Sequence, residues 1–209
     1  MLGKKVTKFS LKARERYVED WELAAWASVA NPFLVAYVSL KGATGLRQQD
    51  LLTLERKHIS ETELVSVNLK TGKQLRFPLY DAEGDPTSVK RALETVDAYY
   101  RTKNKSRARP VLNSRWIFMT RTGGSYYDLE NRRAPGFKNI WGRSMKKALA
   151  ESILEVSFTE HDLRGKVASD LATDTDAQNL LAHSDAKTTR KHYRRKGTLV
   201  TPAKGFFGN

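Results

Sequence analysis

Apolar residues recur at helical spacing along most of this chain and alternate with polar ones over a single short stretch. A helix opened near Ser10 is predicted over 11–30, with Pro32 marking its stop or a restart. A second, buried helix is predicted over 32–42, rich in Phe33, Leu34, Val35, Tyr37, Val38 and Leu40. A short helix over 48–54 follows, with Arg47 at its start. Leu64, Val65, Val67 and Leu69, then Leu75, Phe77 and Leu79, flank Thr71-Gly72, which predicts a β-hairpin that Pro78 ends. Asp85-Pro86 reads as a cap and first-turn proline ahead of a stripe of Val89, Leu93, Val96, Tyr99 and Tyr100. The polar run from Gly123 to Gly136 reads as a loop, and 137–154 as a helix. Trp116, Phe118, Trp141 and Met145 are assigned to the core. The fold class is therefore mainly α with a small antiparallel sheet, α+β.

Near the C-terminus the punctuation is dense. Thr159 or Ser157 caps a helix that starts near His161, with Glu160 and Asp162 in its first turn. His161 and Arg164, three apart, are expected on one face close to backbone N–H groups that attract anions; read singly, both would be ordinary exposed first-turn residues. A further helix over 175–182, capped at Asp174, delivers His183. Ser184 and Asp185 break it, and 188–196 forms another helix bearing Tyr193.

Arg47, His161, Arg164, His183 and Tyr193 make a kit of two guanidiniums, two imidazoles and a phenol, suited to attack on a phosphodiester. Each guanidinium is a planar fork that meets two phosphate oxygens at once. Ionising a free tyrosine, with a pKa of about 10, costs about 4 kcal/mol at pH 7, and nearby arginines offset that cost. The leaving alkoxide is strongly basic, so a general acid is needed. Taken singly, each residue has an ordinary alternative. Arg47 could form a surface ion pair with Asp50, a turn lysine is usually solvated, and Tyr193 among Arg190, Lys191, Arg194 and Arg195 could be an amphipathic anchor. Their joint occurrence in order is what favours chemistry.

Charge strengthens that direction. The 209 residues carry 37 Lys and Arg against 23 Asp and Glu, a net charge of +14, which points to a polyanionic partner. The basic residues gather in three runs, 101–109 with Arg107 and Arg109, 132–147 with Arg132 and Arg133, and 187–196 with Arg190 and Arg194. With Lys73 these are the candidate contacts to a DNA backbone. Cysteine is absent, which excludes disulfides and thiolate metal sites. The four histidines lack the H-E-x-x-H spacing, and neither a metal nor another cofactor is expected. No apolar run is long enough to span a membrane and no signal peptide is evident, so a cytoplasmic, nucleoid-associated protein is expected.

Four segments carry a family likeness: GATGLRQQDLLTL at 42–54, NLKTGKQLRFPL at 68–79, HDLRGKVASDLA at 161–172 and LLAHSDAKTTRKHY at 180–193. In this order they resemble the tyrosine recombinases, or phage integrase family. The resemblance implies their catalytic-domain fold, a bacterial, phage or mobile-element origin, double-stranded DNA as partner, and self-association as a tetramer on DNA. It implies that Arg47 and Arg164 bind the scissile phosphate, that His161 assists proton transfer and that His183 hydrogen-bonds the phosphate. Lys70, with Lys73 as competitor, would protonate the leaving 5′ oxygen, and Tyr193 would be the nucleophile that forms a 3′-phosphotyrosyl link. Two positions depart from the pattern. Ala182 stands where many members have glycine, and Tyr193 lies ten residues after His183, one more than in many members, which puts His192 at the commoner spacing.

One catalytic domain over 1–209 is expected, with a basic tail at 1–9 and an irregular tail at 197–209. The helical DNA-gripping domain that usually precedes it is missing, which favours a catalytic-domain fragment of a longer integrase. The function expected is site-specific DNA recombination. The competitors are a type IB topoisomerase-like relaxer and a non-catalytic DNA-binding regulator on the same fold.

Overall fold

The computed structural model describes residues 16–105 and 114–182. Seven helices and one hairpin form the described part: α1 (Asp20–Val29), α2 (Pro32–Thr44), α3 (Gln48–Leu52), β1 (Glu63–Val67), β2 (Gln74–Pro78), α4 (Ser88–Lys105), α5 (Pro135–Ala150), α6 (Glu160–Asp170) and α7 (Asp174–Leu180). The α+β class read from the periodicity is the class observed.

Local chemistry sets α2. Asn31 caps it by accepting from Phe33 N (2.9 Å), Pro32 supplies a preset φ at the first turn, and Gly45 closes it in the left-handed region at φ 60°. Phe33, Leu34, Tyr37 and Leu40 bury one face of α2, which packs against α4 and α6. Around them stand aromatic partners, Tyr37 with Phe137 at 4.6 Å between ring centres and Phe118 at 5.3 Å. Trp26 of α1 meets Trp141 of α5 at 4.9 Å, joining the two helices. Burying side chains of this size contributes about 1.5–3 kcal/mol each, so this cluster is the main source of stability. Trp116, Phe118, Trp141 and Met145 are all buried, as their patterning implies.

Several boundaries differ from the sequence reading, each for a local reason. Residues 16–19 are not helical, and α1 begins at Asp20 after a reciprocal cap between Glu19 and Glu22. The preceding chain is held by contacts away from the helix: Tyr17 Oη donates to Asp170 (2.5 Å), Val18 is fully buried, and Arg16 pairs with Glu22. Lys166 Nζ lies 2.5 Å from Asp20, 3.0 Å from Asp170 and 3.1 Å from Tyr17 Oη. Burial works against this ammonium, but those partners outweigh it and hold its pKa above the usual lysine range.

Asp85-Pro86 does not open α4. Asp85 N is bonded to Asp81 Oδ1 (2.8 Å) in a turn of its own, and Thr87 O accepts the first helical bond, from Arg91 N (3.1 Å). α5 starts two residues before 137 and ends at Ala150, because Ser152 takes a φ of 54° and the chain turns back through Ile153 N to Ala148 O (2.9 Å). α7 is capped by Thr173, one residue earlier than expected, with its side chain accepting from Asp176 N (3.0 Å).

The residue after α7's C-cap is Ala182, buried and at φ 52°. A left-handed backbone costs an alanine about 1–2 kcal/mol, which gives the family's usual glycine here a physical reason. Ala182→Gly is expected to raise the unfolding free energy by about 0.5–1 kcal/mol, the relief being partly offset by the freer unfolded chain. A urea denaturation midpoint would show it; a lower midpoint would mean that the alanine methyl contributes packing worth more than the strain.

Candidate active site

The α2–α3 turn is the foundation of the site. Gly45 has no side chain, and a Cβ there would meet Leu181 Cδ2 and Val167 Cγ1 at 3.3 Å, so glycine lets α6 and the end of α7 close over this turn. Arg47 follows as the N-cap of α3, its backbone extended at φ −65°, ψ 153°. Its side chain is half-buried. The terminal nitrogen Nη1 is buried and has no hydrogen-bond partner among the described residues.

Arg164, from α6, is where the structure departs most from expectation. It is only 1% exposed rather than an exposed first-turn residue. Nη1 donates to Gly45 O and Nη2 to Leu181 O (2.7 Å). One fork thus ties α6 to the carbonyl two residues before Arg47 and to the carbonyl two residues before His183. The α2–α3 turn and the end of α7 meet at this guanidinium.

His161 sits in the first turn of α6 and is exposed, so it and Arg164 do not share one open face. The helix start is also not an open anion site. Thr159 Oγ1 accepts from Asp162 N (3.2 Å), and Asp162 Oδ2 accepts from Thr159 N (2.8 Å), so the helix caps itself. His161 borders a groove of about 1260 Å³ together with Gln48, Arg133, Lys138, Trp141 and Lys146. The rest of its lining is largely apolar, with Phe137, Met145, Leu149 and Phe158, and Glu160 also faces it.

The hairpin brings the lysines. β1 and β2 pair antiparallel with Glu63 opposite Pro78 and Val67 opposite Gln74, and residues 68–73 form the turn. The turn is longer than two residues, so Leu69 lies in it rather than in the strand. Asn68 organises it: its N–H donates to Lys73 O (2.9 Å), its Oδ1 accepts from Lys70 N (2.9 Å), and Gly72 takes φ 71°. Lys70 and Lys73 both have exposed side chains. Asp50 of α3 is 3% exposed and accepts from Leu69 N (3.0 Å), which ties the peptide next to Lys70 to the helix that Arg47 starts. A surface ion pair between Arg47 and Asp50 is not what the structure has; the carboxylate is buried and turned to the hairpin.

Three further residues beneath the site went unrecognised from sequence. Lys41 is fully buried, with Nζ 2.5 Å from Glu160 Oε1 and donating to Leu46 O (2.6 Å). Tyr37 Oη donates to the same Glu160 Oε1 (2.7 Å). Burial, only partly countered by Glu160, lowers the Lys41 pKa, and burial with Glu160 pushes the Tyr37 phenol well above its usual range. A lysine inside the apolar run FLVAYVSLKGAT was the available signal.

Of the remaining predicted contacts, Arg132 and Arg133 are exposed at the start of the segment leading into α5, with Arg132 at φ 50°. His183, Tyr193, Arg107, Arg109, Arg190 and Arg194 lie outside the described residues. Among the described residues no group of three or more His, Asp or Glu is placed to hold a metal ion, and no helix is long and apolar enough to cross a membrane.

The sequence profile of the phage integrase family matches residues 28–198, most of the chain and all four motif segments. The chain belongs to the phage integrase family. Solved structures agree on the fold. A lambda integrase tetramer bound to a Holliday junction is 20% identical with a TM-score of 0.61, over 93% of this chain and 52% of that one. The lambda integrase catalytic core is 20% identical with a TM-score of 0.56, over 81% of this chain and 96% of that core. XerA recombinase is 17% identical with a TM-score of 0.59, over 93% and 62%. This family member thus spans about half to two thirds of the longer integrase and recombinase chains it matches. No curated protein matches it in sequence.

Proposed function

We propose that this chain carries the strand-transfer centre of a site-specific DNA recombinase. The observation that carries the reading is Arg47. A buried guanidinium nitrogen without an acceptor is costly, roughly 1–3 kcal/mol, and is retained where a ligand completes it. An anion with several acceptor oxygens, a phosphodiester, completes it best, and Arg133, Lys138 and Lys146 in the groove beside His161 and Gln48 give such a chain an approach.

In this reading the Tyr193 phenol attacks phosphorus, its proton passing to an imidazole or a second basic group. The bond from phosphorus to the 5′ oxygen breaks, and Lys70 protonates that oxygen. A free 5′ hydroxyl then attacks the phosphotyrosine in reverse, which restores a phosphodiester and the phenol. Lys70 is preferred over Lys73 because the peptide beside it is the one tethered to Asp50. Arg47 and the His161 imidazole supply stabilisation of the developing charge, and Arg164 holds the turn that aims Arg47. By likeness to the assemblies named above, the chain would act as a tetramer on double-stranded DNA.

The test is a nicked suicide substrate, incubated with the chain in EDTA and run on a denaturing gel. A covalent adduct is expected, located on Tyr193 by mass spectrometry and lost in Tyr193→Phe. DNA binding without any adduct would leave a binding regulator on the same fold, and an adduct mapped to another residue would reassign the nucleophile.

A further inference from the structure

Beneath the turn that presents Arg47 lies a charged cluster that the transfer reaction does not use directly. The Lys41 ammonium is 1% exposed, and the Glu160 carboxylate that it contacts is 9% exposed. Such a pair is a poor source of stability, because desolvating both ions cancels most of their attraction and an apolar pair of similar volume often does as well. Its connections point elsewhere. Lys41 Nζ also donates to Leu46 O, the carbonyl of the peptide bond that joins Leu46 to Arg47. Glu160 is the residue directly before His161, on the first turn of α6. Tyr37 Oη completes the acceptor set of Glu160 from one helical turn earlier in α2.

We propose that Lys41 and Glu160 form a positioning pair that sets the spacing between Arg47 and His161 in the transfer site. A single ammonium bridges the peptide that carries one and the side chain adjacent to the other. Both bonds are short and shielded from water, so the two backbones move together. Arg164 makes a second, independent tie between α6 and the same turn, one residue earlier at Gly45 O. Two ties at neighbouring positions resist rotation of α6 against α3, which one tie alone would permit. This inference rests on the proposed roles of Arg47 and His161, and its test has a readout that does not depend on them.

The variants are Glu160→Gln, which keeps the acceptor for Tyr37 and removes only the charge, and the double variant Lys41→Met with Glu160→Gln, which leaves no buried ion alone. Amide hydrogen exchange is measured on the whole chain, together with DNA affinity and the single-turnover rate of adduct formation. In the double variant, exchange at residues 45–48 and 160–163 is expected to accelerate about tenfold while the α4 core amides are unchanged, as a local opening would give. DNA affinity should stay within about twofold, while the adduct rate falls on the order of 100-fold, the size expected for misplaced but present catalytic groups. Glu160→Gln, which leaves the Lys41 ammonium buried without its counter-charge, should be affected at least as strongly. If the double variant folds, shows no local acceleration and forms adduct at the original rate, the inference is overturned. Local acceleration in a protein whose unmodified form makes no adduct would instead uphold the positioning pair and overturn the strand-transfer reading.

Discussion

Arg164→Ala is expected to abolish adduct formation and to cost about 3–5 kcal/mol of stability at the same time. The side chain is buried, and its two terminal nitrogens serve Gly45 O and Leu181 O. Removing it strands two carbonyls at about 1–3 kcal/mol each and leaves a cavity besides. That is a large share of the 5–15 kcal/mol that a domain typically has, so urea denaturation should show a much lower midpoint. Arg164→Lys separates the two effects. A lysine ammonium can reach one carbonyl but cannot reproduce the fork, so it should recover part of the stability while adduct formation stays lost. An alanine variant with an unchanged denaturation midpoint would show that the guanidinium does not hold the turn, and one that also cleaved DNA would remove it from the site.

The helices whose ends are written in local chemistry were legible in the sequence. Pro32 at the start of α2 and Thr159 with Asp162 at the start of α6 act through neighbours a few residues away, whereas α2 runs two residues past the expected end at 42, to Thr44, with Gly45 in the left-handed region as its cap. The hairpin was equally local, since Gly72 and alternating apolar positions suffice for it. What could not be read were ends decided by distant partners. Residues 16–19 stay out of the helix while Tyr17 reaches Asp170 and Lys166, far along the chain, and no local pattern reports that. Asp85 looked like a helix cap because its type fits one, but it serves the turn at Asp81.

The site shows the same division. Residue types and their order singled out Arg47, His161 and Arg164 as candidates, since phosphoryl chemistry restricts which side chains are useful, and the family likeness added Lys70. Burial was the missing quantity. Arg164 reads as a surface residue in a charged helix, with Asp162 and Lys166 on either side of it, yet it is buried against the α2–α3 turn and the end of α7. Lys41, Asp50 and Glu160 are charged residues whose value lies in what they bond across the fold, Leu46 O, Leu69 N and the Lys41 ammonium respectively. Each needs the tertiary packing before its partner exists.

Asp50→Ala is the second large effect, and it tests the chemistry of the turn rather than its stability. The buried carboxylate is the acceptor for Leu69 N, so its loss frees the 68–73 turn from α3 at a cost of about 1.5–3 kcal/mol, the range for a hydrogen bond to a charged group. If Lys70 is the general acid proposed above, it stays in the protein but its turn is no longer held to α3, and the adduct rate should fall on the order of 100-fold. A substrate with a 5′-bridging sulfur discriminates, because a thiol with a pKa of about 8.5 leaves without a general acid. Both Asp50→Ala and Lys70→Ala should be restored on that substrate, and Lys73→Ala should be nearly normal on either substrate. Asp50→Asn keeps an oxygen acceptor for Leu69 N and should retain most of the rate. If Asp50→Ala is not rescued by sulfur while Lys70→Ala is, the carboxylate acts on phosphate binding rather than through the turn. Rescue confined to Lys73→Ala would move the acid to Lys73.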